Sequence, residues 1–148
     1  MSRNNFVRFI AIGVVAIVIM FEFGCQKYDQ QGRIDFYIDI SNGNVTSTSG
    51  SYQTQIPDYY NLEITGGYVY VNGLIVFKGI DGYYYALTQY CSSDNSNLEY
   101  QVSYDRLYCP NDGSLFNSDG TVQMGPAVVP LYRYAAAING TLLHVYTP

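Results

Sequence analysis

Residues 68–88 read YVYVNGLIVFKGIDGYYYALT. Two Gly-containing dipeptides, Asn72-Gly73 and Asp81-Gly82, divide the stretch into three runs of valine, isoleucine, leucine, phenylalanine and tyrosine. β-Branched and aromatic side chains fit a pleated surface, and Asn-Gly and Asp-Gly tolerate the positive φ that tight hairpin turns demand. The stretch therefore predicts strands over Tyr68–Val71, Leu74–Lys78 and Tyr83–Thr88.

The same grammar extends in both directions. Upstream, Ile34, Phe36, Ile38 and Ile40 alternate with Asp35, Tyr37 and Asp39, the period of a strand with one buried face. Residues 41–55 are mostly Ser, Thr, Asn and Gly, which predicts a long loop ending near Pro57. Downstream, Leu98–Tyr108, Tyr132–Ile138 and Thr141–Tyr146 read as strands, with further turn signals at Gly66-Gly67, Asp119-Gly120 and Asn139-Gly140. No segment beyond the N-terminal leader has a 3.6-residue apolar stripe. The fold class expected is all-β, an antiparallel sandwich or barrel without internal repeat. The 17 tyrosines fall mainly on strands, as at Tyr83, Tyr84 and Tyr85, where packing with the hydroxyl at the surface explains them.

Composition narrows the function. The 148 residues hold seven Lys plus Arg against twelve Asp plus Glu, a net charge of −5. Two of the cations, Arg3 and Arg8, sit in the leader, and the other five (Lys27, Arg33, Lys78, Arg106 and Arg133) are scattered. Nucleic acid is excluded as a partner, because neutralising phosphates takes clustered cations. A hydrolase is excluded too: His144 is the one imidazole, and there is no Gly-x-Ser-x-Gly elbow. Nor is there a Cys-x-x-Cys pair to mark a thiol oxidoreductase or a zinc site. The chain is not expected to be an enzyme.

The N-terminus supplies an address. Met1–Arg8 is basic, Phe9–Met20 is uninterruptedly apolar, and Gly24-Cys25 follows. This is the order of a secretory signal, and a dozen apolar residues fall short of the roughly 20 that span a bilayer. Cys25 resembles the acylated lipobox cysteine of bacterial lipoproteins, although Glu22 stands where leucine is usual. The expected organisation is a signal peptide over 1–24, a lipidated N-terminus and tether over 25–33, and one β domain over 34–148. The expected location is a bacterial cell envelope, with a membrane partner through the lipid and a possible envelope protein partner.

Two loops break the hairpin pattern by placing a cysteine after a strand: Cys91-Ser92-Ser93, and Cys109-Pro110-Asn111-Asp112-Gly113-Ser114. Phe116-Asn117, Gly120, Gly125-Pro126-Ala127 and Pro130-Leu131 follow. Together they resemble the cluster-binding half of a Rieske domain, in which Cys-x-His and Cys-Pro-x-His-Gly-Ser loops face each other across a two-iron two-sulfur cluster beneath a Gly-Pro-Ala segment. The resemblance runs from about Ile56 to Tyr146, is particularly close to small exported Rieske-like lipoproteins, and implies a Rieske-like sandwich with a cluster-binding-like subdomain over about 88–131.

At the family's two histidine positions stand Ser93 and Asp112. Setting Cys25 aside, Cys91, Cys109 and His144 are three soft ligands where four are required. The expectation is therefore a degenerate site at Cys91, Ser93, Cys109 and Asp112, no cofactor, and a binding or structural role at the envelope. The alternative is an electron carrier with an atypical 2Fe-2S cluster on Cys91, Cys109 and Asp112. Because the family's two cysteines bind one iron, the resemblance also implies that an empty site would pair Cys91 with Cys109 in a disulfide. Ser96 and Asn111 fall where the family has its own separate disulfide, Ser114 is expected to act as a turn hydroxyl, and Phe116 is expected to pack.

Overall fold

The computed structural model describes residues 33–47, 53–55 and 62–148. The leader, Cys25 and Pro57 lie outside the described residues. Among the described residues no helix is long and apolar enough to cross a membrane.

Twelve strands run through the described residues. They are β1 Asp35–Asp39, β2 Asn44–Ser47, β3 Gln53–Gln55, β4 Tyr68–Val71, β5 Leu74–Lys78, β6 Tyr84–Thr88, β7 Glu99–Gln101, β8 Arg106–Tyr108, β9 Leu115–Asn117, β10 Val122–Met124, β11 Arg133–Asn139 and β12 Leu142–Tyr146. Eight form one sheet in the order β3-β2-β1-β12-β11-β6-β5-β4, and four form a second in the order β10-β9-β8-β7. Every pairing is antiparallel.

The unbroken apolar run of β5 explains how the sheets are layered. Side chains alternate across a strand, so Leu74 and Val76 enter one core while Ile75 and Phe77 enter another. The first core joins Val69, Leu74, Val76 and Ala86 to Phe36, Ile38, Leu143 and Val145 from the opposite end of the large sheet. That sheet therefore curls round upon itself. The second core joins Ile75, Phe77 and Leu87 to Leu98, Leu107 and Phe116, which lie on or beside the small sheet. A strand buried on both faces cannot alternate polar with apolar, and each fully buried Leu or Phe contributes about 1.5–3 kcal/mol.

Three local expectations are corrected. Residues 41–55 are not one loop, because β2 pairs with β1 and β3 with β2. Val45 is buried while Asn44 and Thr46 face solvent, so a single inward residue suffices for a polar strand near the sheet edge. Leu98–Tyr108 is not one strand: it folds into β7, a single 3-10 turn at Val102–Tyr104, and β8. The chain reverses at Asp105, whose φ of 48° is left-handed. Strands β9 and β10 have three residues each, too few for a period to show. The tyrosine hydroxyls, too, do more than reach the surface. Tyr70 donates to the carbonyl of Leu98 at 2.6 Å and Tyr84 to that of Leu62 at 3.0 Å.

Candidate functional site

Cys91 follows β6 and Cys109 follows β8, and both sulfurs are buried at the margin of the second core. The loops they open share one backbone form. In the first, the Cys91 N–H donates to the Ser96 carbonyl at 2.8 Å and the Asn95 N–H to the Cys91 carbonyl at 2.9 Å. In the second, the Cys109 N–H donates to the Ser114 carbonyl and the Gly113 N–H to the Cys109 carbonyl, both at 2.9 Å. Asn95 and Gly113 hold the reversal at φ of 63° and 83°, a conformation that glycine adopts freely and asparagine tolerates.

An aspartate caps each turn. The Ser96 N–H donates to Asp94 Oδ1 at 2.9 Å, and the Ser114 N–H to Asp112 Oδ1 at 2.8 Å. Residues 91–96 and 109–114 are thus two copies of Cys-x-x-Asp-Asn/Gly-Ser. This corrects the expectation of no repeat, which fails because six residues with one substituted turn position escape a search for longer periods.

The loops face each other, and one donor atom from each of Cys91, Asp94, Cys109 and Asp112 lies within 4.8 Å of the other three. Polar bonds tie loop to loop. The Ser93 hydroxyl donates to Asp112 Oδ2, and Asn111 Nδ2 donates to Asp94 Oδ2 at 2.6 Å. Ser96 Oγ lies 3.1 Å from Cys109 Sγ, and Ser93 Oγ lies 3.0 Å from Cys91 Sγ. Ser96 and Asn111, which stand where the family has its separate disulfide, therefore bridge the loops through Cys109 and Asp94 by hydrogen bonds.

Cys91 and Cys109 are both free thiols, so the disulfide inferred from the resemblance is not formed in this structure. Each sulfur keeps polar company. Cys109 contacts Ser96 Oγ and also lies 3.6 Å from Asp94 Oδ1, while Cys91 contacts Ser93. Burial pushes the Cys109 thiol up to about 11, although the Ser96 hydroxyl works the other way. The carboxylates shift oppositely. The Ser96 N–H and then the Asn111 amide hold Asp94 well below the usual range, and the Ser93 hydroxyl with the Ser114 N–H does the same for Asp112.

A roof covers the loops. Ser114 is fully buried, and its Oγ accepts from the Ala127 N–H at 2.9 Å; the Ser92 hydroxyl donates to the Val129 carbonyl at 2.5 Å. Gly125-Pro126-Ala127 is thereby fastened to both loops or their neighbours, while Val128 projects at 87% exposure. Phe116 is fully buried below. His144 belongs elsewhere: its Nε2 lies 2.8 Å from Asp35 Oδ1, and its ring stacks on Tyr37 and Tyr146.

Sequence reading missed Asp94. The signal was the repeated spacing, since Cys91 to Asp94 equals Cys109 to Asp112, but attention to the family's histidine position falls one residue short, on Ser93. With Asp94 the donor set rises to two thiols and two carboxylates. Thiolates suit an iron–sulfur site, and iron also accepts carboxylate oxygen, as in facial-triad oxygenases. The group thus offers iron two soft and two hard donors.

Residues 52–135 match the Rieske [2Fe-2S] domain family. Among solved structures, the chain is similar to the plasma-membrane Rieske protein of the cyanobacterium Synechocystis, with 26% identity, 49% of this chain and 74% of that one covered, and a TM-score of 0.45. It is also similar to the ferredoxin of carbazole 1,9a-dioxygenase from Nocardioides aromaticivorans, with 20% identity, 63% and 96% covered, and a TM-score of 0.50. No curated protein matches the chain. The expectation that no cofactor is bound is overturned by the family match, since the family is defined by a 2Fe-2S centre and the cysteine–aspartate group occupies its place. Two cysteine loops under a Gly-Pro-Ala roof on an antiparallel β body, and a family match spanning more than half of the chain, place this protein in the Rieske [2Fe-2S] domain family.

Proposed function

We propose that this protein is an electron carrier, not a catalyst, whose 2Fe-2S centre is held between the two loops by Cys91, Cys109 and Asp112. The observation that carries the reading is the convergence of these side chains within 4.8 Å on loops of matching backbone form. When bound, such a centre supplies reversible one-electron transfer. The chain's own residues do the rest. Cys91 and Cys109 bring sulfur to the edge of an apolar core, and each thiol gives up its proton on binding. Asp112 is already anionic, oriented by Ser93 and the Ser114 N–H. Ser114 and Ala127 hold the Gly-Pro-Ala segment against the second loop.

The same reading makes the carrier an exported lipoprotein, fixed to a bacterial envelope membrane through acylated Cys25 and exchanging electrons with an envelope protein. It rests on the basic, apolar, Gly-Cys order of residues 1–25. The test is to purify the full chain from iron-replete cells, or reconstitute it anaerobically with ferrous iron and sulfide. Visible absorption, iron and acid-labile sulfide are then measured. Stoichiometric iron and sulfide with a reducible chromophore are expected; a colourless protein after reconstitution sinks the proposal. For the anchor, Cys25→Ser is expected to move the protein from the membrane to the soluble fraction.

A further inference from the structure

We propose that Asp94 is the fourth ligand of this centre, giving it a two-cysteine, two-carboxylate donor set in place of the family's cysteines and histidines. The inference rests on the functional reading above and deepens it. A lone resemblance to the family's first loop puts the ligand at Ser93, two residues after Cys91. The structure puts Ser93 to another use, since its hydroxyl is engaged with Cys91 Sγ and with the Asp112 carboxylate. Ser93 is a positioning residue.

Asp94 has the credentials that Ser93 lacks. It occupies in the first loop the place that Asp112 occupies in the second: three residues after the cysteine, before the left-handed residue, capping the following serine N–H. Its two oxygens lie 3.6 and 3.7 Å from Cys109 Sγ. These contacts carry the carboxylate across from the first loop to the sulfur of the second. Asn111 holds one of those oxygens from the opposite loop. On binding, the two thiols release two protons and the two carboxylates release none. The site thus offers two sulfur and two oxygen donors.

The test compares four forms of the full chain after anaerobic reconstitution with ferrous iron and sulfide: wild type, Ser93→Ala, Asp94→Asn and Asp94→Cys. Asp94→Asn keeps the carbonyl oxygen that caps Ser96 and removes only the anionic donor; Asp94→Cys replaces oxygen with sulfur. Iron retained against a chelator is expected to fall at least about tenfold in Asp94→Asn. Ser93→Ala loses only an orienting hydroxyl, so the iron it retains should show the wild-type spectrum. In Asp94→Cys the cluster should be retained with an altered visible absorption and electron paramagnetic resonance spectrum, because a new sulfur bonds to iron. Circular dichroism melting of the metal-free proteins checks that all four fold. If wild type loads and both Asp94 variants load with unchanged spectra, Asp94 is no ligand and this inference falls while the carrier reading stands. If wild type itself takes no cluster, both fall together.

Discussion

Two Asp-Gly turns with nearly the same backbone allow the packing around the roof to be measured. Gly82 has φ of 84° and Gly120 has φ of 91°, so a side chain at either is strained to a similar degree. Their surroundings differ. A Cβ on Gly82 would meet nothing within 4 Å, whereas one on Gly120 would lie 3.0 Å from the Leu131 carbonyl oxygen and 3.2 Å from Leu87 Cδ2. Forcing an L-residue into the left-handed region costs about 1–2 kcal/mol, and alanine recovers about 0.4–1 kcal/mol by stiffening the unfolded chain. Gly82→Ala is therefore expected to destabilise by about 1 kcal/mol. Gly120→Ala carries that cost plus overpacking of about 1–3 kcal/mol, because the nearest obstacle is backbone that cannot rotate away. Moreover the Gly120 carbonyl accepts from the Leu131 N–H at 2.9 Å, so displacing the turn also disturbs the exit of the roof segment. Urea unfolding of both variants in the metal-free state, with equal slopes, gives the difference directly. Equal losses at the two positions would refute the close approach of Gly120 to Leu131.

Three other outcomes follow from the site and its supports. Ser114→Ala strips the partner from the buried Ala127 N–H and is expected to cost about 1–3 kcal/mol in urea unfolding; a loss under half of that would mean that water reaches the roof. Asp112→His replaces one carboxylate by the family's imidazole. Because a neutral imidazole opposes the added electron less than an anionic carboxylate does, the change is expected to raise the potential in a potentiometric titration, and an unchanged or lower potential would mean that Asp112 does not touch the centre. Finally, Tyr70 is pushed up to about 12 by burial and Tyr85 to about 12 by its bond to Asp81, while burial and Asp105 also raise Tyr100. Free phenols ionise near 10, so their contribution is complete below about pH 10 and lost as pH climbs towards 12. Stability by urea should fall across that window, and Tyr70→Phe should flatten the fall.

Much of the β framework was legible because its strands are long enough to show a period. The runs 68–71 and 74–78 coincide with β4 and β5, and β5 reads as continuous apolar because it separates two cores. What escaped was short or polar. Leu115–Asn117 and Val122–Met124 are three-residue strands, and the hairpin inside 98–108 turns on the left-handed Asp105, a residue whose type gives weaker warning than glycine would. At the site, Cys91, Cys109 and Asp112 were legible from their resemblance to a ligand pattern. Asp94 was not, because the family's first ligand stands two residues after its cysteine and this chain's candidate stands three after.

The shift by one residue also shapes the electrostatics of the site. The carboxylates of Asp94 and Asp112 lie within 4.8 Å of each other and of both sulfurs, an arrangement that like-charge repulsion opposes. Five groups offset that repulsion: the N–H groups of Ser96 and Ser114, the hydroxyls of Ser93 and Ser96, and the amide of Asn111. These donors fix the carboxylates and draw each sulfur towards an oxygen neighbour. A cation between the loops would meet four anionic donors once the thiols lose their protons. Ser96 and Asn111, which stand where the family has its separate disulfide, meanwhile tie the two loops together by hydrogen bonds.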